Sequence, residues 1–201
     1  MSAREDILSA IRARRFTSAK RPAPYAAPVQ ASDLVGHFTA RAQSADASVR
    51  VLTSAAEIPS AISDILRDRN LPAIVHLAPD SPLADLEWNR APGLIVERSA
   101  PGPNDAALAG ADYAIAETGT LAYLAEKGAP ASWHFRPGLE IAVVKADAIL
   151  PHLENLLARA RSALPHTVNL VTGPSRTGDI EQTLELGAHG PKELVVLIVR
   201  V

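Results

Sequence analysis

Apolar residues fall along this chain in two alternating rhythms: stripes at helical spacing and short continuous runs. Ile7, Leu8 and Ile11 form the first stripe, with Phe16 beyond it, and Ser2 followed by Glu5 has the spacing of a capping box. A short amphipathic helix is therefore expected at the start. Three prolines between Lys20 and Pro28 suit an extended linker, and Leu34, Val35 and Phe38 predict a second short helix capped by Ser32 or Asp33. Residues 1–45 are thus expected to form a helical N-terminal arm, and residues 46–201 a single α/β domain.

Within that domain the rhythms interleave. Val49 to Leu52 predicts a strand, Ser54 with Glu57 repeats the capping-box spacing, and Ile58, Ile62, Ile65 and Leu66 give a helical stripe ending at Asn70. Ala73 to Leu77 completes a βαβ unit, for which a right-handed crossover is expected. Leu83 to Trp88 suggests a turn of helix, Gly93 to Val96 a strand, and Asp105 to Leu108 the start of another helix. Asp112 to Ala116 and Thr120 to Leu124 predict two strands meeting at a bend in which Gly119 takes an unusual backbone angle. After a strand over Leu139 to Val144, the stripe Ile149, Leu153, Leu156, Leu157 and Ala160 predicts a helix capped by Asp147. Val168 to Val171 and Leu194 to Val199 are further strands, the last expected to be central or well covered. Strands alternating with helices indicate an α/β domain with a mostly parallel or mixed sheet flanked by helices.

Charge narrows the partners. With 20 basic against 22 acidic residues the net charge is −2, which offers no electrostatic basis for binding nucleic acid or a membrane surface. The Arg12, Arg14 and Arg15 cluster is then expected to be a solvated helix face. No signal-peptide core or membrane-length apolar run occurs, so the expected location is cytoplasmic. The chain has no cysteine, which excludes thiolate-ligated iron–sulfur clusters and disulfides from it. Its six histidines, at 37, 76, 134, 152, 166 and 189, lack metal-binding spacing, and no metal site or cofactor is expected.

Three stretches carry the candidate chemistry. In Gly173-Pro174-Ser175-Arg176-Thr177-Gly178-Asp179-Ile180-Glu181, a strand running through a Gly-rich turn into a helix start would leave backbone N–H groups unpaired. Beside them stand the Ser175 and Thr177 hydroxyls and the Arg176 guanidinium, a set able to hold a small carboxylate or a phosphate. The alternative is that Ser175 or Thr177 only caps the helix while Asp179 and Glu181 favour its positive end. The stretch is neither a Walker loop nor a nucleophile elbow, and no dinucleotide fingerprint is present. In Glu117-Thr118-Gly119-Thr120 a carboxylate at a strand end has the chemistry of a nucleophile or general base; the alternative is a hydrogen-bonding group that pins the bend. His189, in the turn Gly187-Ala188-His189-Gly190-Pro191, is either a general base or ligand group or a side chain bonded to its own turn. Trp133, His134 and Phe135, with Arg136 next to them, are candidates for lining a pocket, core packing being the commoner use of such aromatics.

Taken in order, these three stretches resemble the LUD-domain family, and within it the lactate utilization protein C group, over roughly residues 49 to 201. The resemblance implies a fold similar to the ribose-5-phosphate isomerase and coenzyme A transferase-like class. It also implies an accessory or small-acid-binding subunit of a cytoplasmic system that oxidises L-lactate to pyruvate, alongside partners that carry the iron–sulfur clusters. On that reading Thr118, Gly119, Thr120, Gly173, Ser175, Arg176 and Thr177 are the ligand-binding candidates, with Glu117 and His189 as catalytic ones. The alternative function is a stand-alone acyl or coenzyme A transferase-like enzyme with Glu117 as nucleophile. The arm offers a docking element for partners or for a second copy of the chain, as in a homo-oligomer. One departure stands out: many relatives carry Pro-x-x-His-Ile where this chain has Pro137-Gly138-Leu139-Glu140-Ile141, so a carboxylate replaces an imidazole.

Overall fold

The computed structural model describes residues 3–13, 32–124, 132–161, 165–178 and 184–200. Helix α1 (Ala3–Ala13) buries none of its residues, and Ile7 and Ile11 are 60% and 62% exposed. The proline-rich stretch lies outside the described residues. Helix α2 (Leu34–Ser44) starts at Asp33, whose carboxylate accepts the Gly36 N–H at 2.9 Å. Although α2 falls in the stretch expected as an arm, its Phe38 and Ala42 are buried among residues of the domain.

The strands are β1 (Ser48–Leu52), β2 (Ile74–Leu77), β3 (Ile95–Glu97), β4 (Ala106–Gly110), β5 (Tyr113–Ile115) and β6 (Thr120–Leu124). They continue as β7 (Leu139–Lys145), β8 (Ile149–Leu150), β9 (Val168–Val171), β10 (Arg176–Gly178), β11 (Leu184–Leu186) and β12 (Glu193–Val199). Between them lie α3 (Ile58–Asp68), α4 (Ser132–Phe135) and α5 (Leu153–Ala160). A six-stranded sheet runs in the order β1-β12-β7-β4-β2-β3 with every neighbouring pair parallel. The two strands of the expected βαβ unit, β1 and β2, both belong to this sheet, separated by β12, β7 and β4. A second sheet has the order β8-β5-β6-β9, with β6 antiparallel to both neighbours.

Alternation along the strands builds the layers. Leu139, Ile141 and Val143 of β7 join Val195 and Leu197 of β12 on the face covered by Ile58, Ile62 and Ile65 of α3. Ala142 and Val144 face the other way with Val196 and Ile198, against Leu121 and Tyr123 of the second sheet and Phe38 of α2. The outer face of the second sheet packs Ile115, Ala122 and Leu150 on Leu156 of α5. The parity that sends Ala142 and Val144 between the two sheets sends Glu140 there as well.

Three sequence expectations are corrected. The helix expected from Asp105 is strand β4: the Asp105 carboxylate accepts the Gly102 N–H at 2.7 Å and closes a turn, after which the chain pairs between β2 and β7. Four small apolar residues fit either rhythm, and the neighbouring strands decide between them. The helix expected to be capped by Asp147 starts only after His152, because Ile149 and Leu150 pair with β5 as β8. Where a helix capped by Ser175 or Thr177 is expected to open, Arg176–Gly178 is strand β10, antiparallel to β11. Asp179 and Glu181 lie outside the described residues. Among the described residues no helix is long and apolar enough to cross a membrane.

Candidate functional site

The β5–β6 bend is built on Gly119, which has φ +69° and donates its N–H to the Ile115 carbonyl at 2.9 Å. A Cβ there would lie 2.4 Å from the Ala42 backbone nitrogen, so glycine lets the bend sit directly against the last turn of α2. Glu117 is held at both ends: its N–H donates to the Pro151 carbonyl at 3.1 Å, and its carboxylate lies 2.9 Å from His152 Nδ1. An ionised carboxylate only accepts, so in that state Nδ1 carries the proton. The Glu117 side chain is 39% exposed while His152 is buried, and among the described residues His152 Nε2 has no partner. The Thr118 and Thr120 hydroxyls lie 2.7 Å apart, and Thr120 is 2.7 Å from the Thr172 hydroxyl, linking the bend to the loop after β9.

That loop turns at Gly173, with φ +68°, where a Cβ would lie 2.0 Å from the Ala45 carbonyl oxygen. The backbone donors expected to await an anion are in part engaged: Ser175 N–H donates to the Pro191 carbonyl at 2.8 Å. Ser175 in turn accepts through its carbonyl from Gly187 N–H at 3.0 Å and through its hydroxyl from His189 N–H at 3.3 Å. Arg176 pairs with Asp46 at 2.5 Å. Side-chain placement of Thr177 lies outside the described residues.

The three motifs are therefore contiguous, joined by threonine hydroxyls on one side and by Ser175 on the other. Their charged groups are paired separately: Glu117 with His152, and Arg176 with Asp46, while His189 meets Ser175 through its backbone. The imidazole that meets Glu117 belongs to His152, one of six histidines that no spacing distinguished. Its backbone N–H donates to the Asn155 side chain at 3.1 Å, so the pair His152 and Asn155 at the head of an apolar stripe was the available signal.

A family profile for the LUD domain matches residues 98–199, half of the 201-residue chain and all three motifs. A protein of Deinococcus radiodurans named lactate utilization protein C is 31% identical over 195 residues, covering 89% of this chain and 85% of that one. The chain belongs to the LUD domain family. Within the LUD family it falls in the lactate utilization protein C group. Proteins of that name from Bacillus pumilus and Macrococcus caseolyticus are 28% and 32% identical over 94 residues, 44% of this chain in each case. Those matches span 39% and 41% of the two relatives' own length. The LUD fold extends beyond the matched half: a crystal structure of a DUF162 family protein from Deinococcus radiodurans superposes with a TM-score of 0.61 at 23% identity, covering 86% of this chain and 99% of the other.

Proposed function

We propose that this LUD-domain protein is a subunit of a cytoplasmic system that oxidises L-lactate to pyruvate, binding a small acid while partners carry the electrons. The observation that carries this reading is the match to the Deinococcus radiodurans lactate utilization protein C over 89% of the chain. The absence of cysteine agrees with it, since thiolate-held clusters then belong to other subunits.

The Gly173 to Gly178 loop serves this role as scaffold. A carboxylate ligand at Arg176 would share the guanidinium with Asp46, and the Ser175 N–H already has an acceptor. The rival enzyme, in which the ionised Glu117 carboxylate attacks an acyl thioester, is disfavoured because in that state the carboxylate accepts a hydrogen bond from His152 Nδ1, which lowers its nucleophilicity.

The test is genetic. Deleting the gene is expected to abolish growth on L-lactate as sole carbon source, with growth on pyruvate unchanged and the intact gene restoring the defect. Normal growth of the deletion strain on L-lactate would overturn the proposal.

A further inference from the structure

Between the sheets the ionisable groups answer one another. Glu140 Oε1 takes the Tyr123 hydroxyl at 2.8 Å and lies 2.9 Å from His134 Nδ1. Burial, and then the Glu140 carboxyl, push the Tyr123 phenol well above its ordinary 10.0, which keeps it a donor. A third histidine, His76 on β2, is placed differently. Val75 and Leu77 face α3, so alternation turns Ile74 and His76 to the opposite face of the sheet. The second sheet does not extend over them: among the described residues, those packed between the sheets include none from β2 or β3, and Ile95, in register with Ile74, is 54% exposed.

A cavity of about 300 Å³ opens on this face, walled by Leu71, Pro72 and Ile74 on its apolar side and by His76, Glu97 and Asp105 on its polar side. His76 is only 8% exposed. Its Nδ1 lies 2.9 Å from the Ser99 carbonyl oxygen, which can only accept, so Nδ1 carries the proton. The neutral ring then has its lone pair on Nε2, and Nε2 stands 3.5 Å from Asp105 Oδ2, another acceptor. The two other Glu–His contacts of this chain close to 2.9 Å. At 3.5 Å this one is open, longer than a charge-assisted N–H···O bond of about 2.7–2.9 Å. Two acceptors at the wall of a cavity therefore lack a donor between them. Glu97, in register with His76, adds a second carboxylate, and its Oε2 takes only the Ser99 hydroxyl at 2.9 Å.

The charge of the walls selects the occupant. Among the described lining residues none is Lys or Arg, so an acid has no counter-ion here and a cation has two. Among the described residues no three His, Asp or Glu side chains converge as a metal ion requires, which leaves an organic cation. The volume is that of a small-molecule site. An alkylamine is an ammonium below about pH 10 and carries three N–H donors on one nitrogen.

We infer that this cavity binds a small aliphatic primary amine, whose ammonium donates to His76 Nε2 and to Asp105 while its stem lies against Leu71, Pro72 and Ile74. The inference does not rest on the lactate reading, and the growth test and the test below fail independently.

The test is a titration of the full chain, labelled with ¹⁵N in its histidines, at constant ionic strength near neutral pH. The probes are n-butylammonium and butyltrimethylammonium, which has the same charge and no N–H. Butylammonium is expected to shift the His76 ring resonances saturably, with a Kd on the order of 1–10 mM for so small a ligand. The quaternary probe is expected to bind at least about tenfold more weakly. Asp105→Asn, which keeps an acceptor for the Gly102 N–H and drops the charge, should weaken butylammonium by at least about tenfold, with the His152 resonances as the check on folding. The inference is overturned by no saturable shift up to about 100 mM, by an equal response to the quaternary probe, or by an undiminished response in Asp105→Asn. Protonated Nε2 in the ligand-free protein would overturn it as well, since a His76–Asp105 ion pair needs no ligand. Nα-acetyl-lysine amide should bind no better than butylammonium; binding at least about tenfold tighter would give the cavity to a lysine of a protein partner and reject the free amine. Should Asp105→Asn fail to fold, the two cations compared in the unmodified protein decide.

Discussion

At the scale of single residues, two Glu–His contacts distinguish this chain, and they differ in exposure. Glu117 keeps 39% of its side chain in solvent and has His152 behind it, whereas Glu140 is wholly enclosed and depends on Tyr123 and His134 for its hydrogen bonds. Tyr123→Phe removes one of the two groups bonded to Glu140 Oε1 and is expected to destabilise the protein by about 0.5–1.5 kcal/mol near neutral pH, the net worth of a typical hydrogen bond. The alkaline limb gives a sharper check. Folded Tyr123 holds its proton above the ordinary value of 10.0, while the unfolded chain releases it near that value. The stabilisation is therefore fully present below about pH 10 and is lost as pH rises towards the folded value. Urea denaturation from about pH 9 to about pH 11 should show the unmodified protein losing stability faster than Tyr123→Phe, so that the gap between them narrows. Parallel curves would remove the phenol from the account.

At the scale of elements, the three motifs work by close approach. The bend at Gly119 abuts the last turn of α2, and the loop at Gly173 abuts the carbonyl that follows it, so two sequence-distant glycines clamp the same helix end. Gly93 gives an internal comparison: its φ is +90° but a Cβ there would meet nothing within 4 Å. Gly93→Ala should cost only the left-handed backbone strain, about 1–2 kcal/mol. Gly173→Ala adds a collision with backbone and should cost at least roughly twice as much. Thermal melts of the two variants side by side test this, and equal losses would mean that the contact with α2 relaxes at little cost. Both expectations come from backbone geometry, which neither motif advertised beyond the presence of the glycines.

At the scale of the whole molecule, the layers run from α3 through the parallel sheet to the second sheet with α2, and then to α5. Because Phe38 and Ala42 are buried in the layer between the sheets, the folded unit takes in α2, and residues 32–45 belong with it. Deleting residues 1–13, of which the helix Ala3–Ala13 buries nothing, should leave the melting temperature unchanged. Deleting residues 1–45 removes a fully buried Phe and should cost about 3–5 kcal/mol or abolish folding. Differential scanning calorimetry of the two truncations separates a true arm from a structural helix, and identical behaviour would restore the boundary at residue 45.

What the sequence determined by itself was local and repetitive: the near-continuous apolar run of β12, the stripe of α3, the bend with a glycine at its centre, and the order of three motifs that marks the LUD family. Each of these depends on neighbours a few residues away, so periodicity and residue type suffice to find it. What only the tertiary structure decided was pairing across distance. Ala106 to Ala109 became a strand because β2 and β7 flank it, Ile149 and Leu150 because β5 lies alongside, and Arg176 to Gly178 because Leu184 to Leu186 folds back on it. The partners of Glu117 and Glu140, His152 and His134, lie 35 and 6 residues away. No spacing rule links them: the pairing of β5 with β8 brings Glu117 beside His152, and the placing of α4 brings His134 against Glu140 of β7.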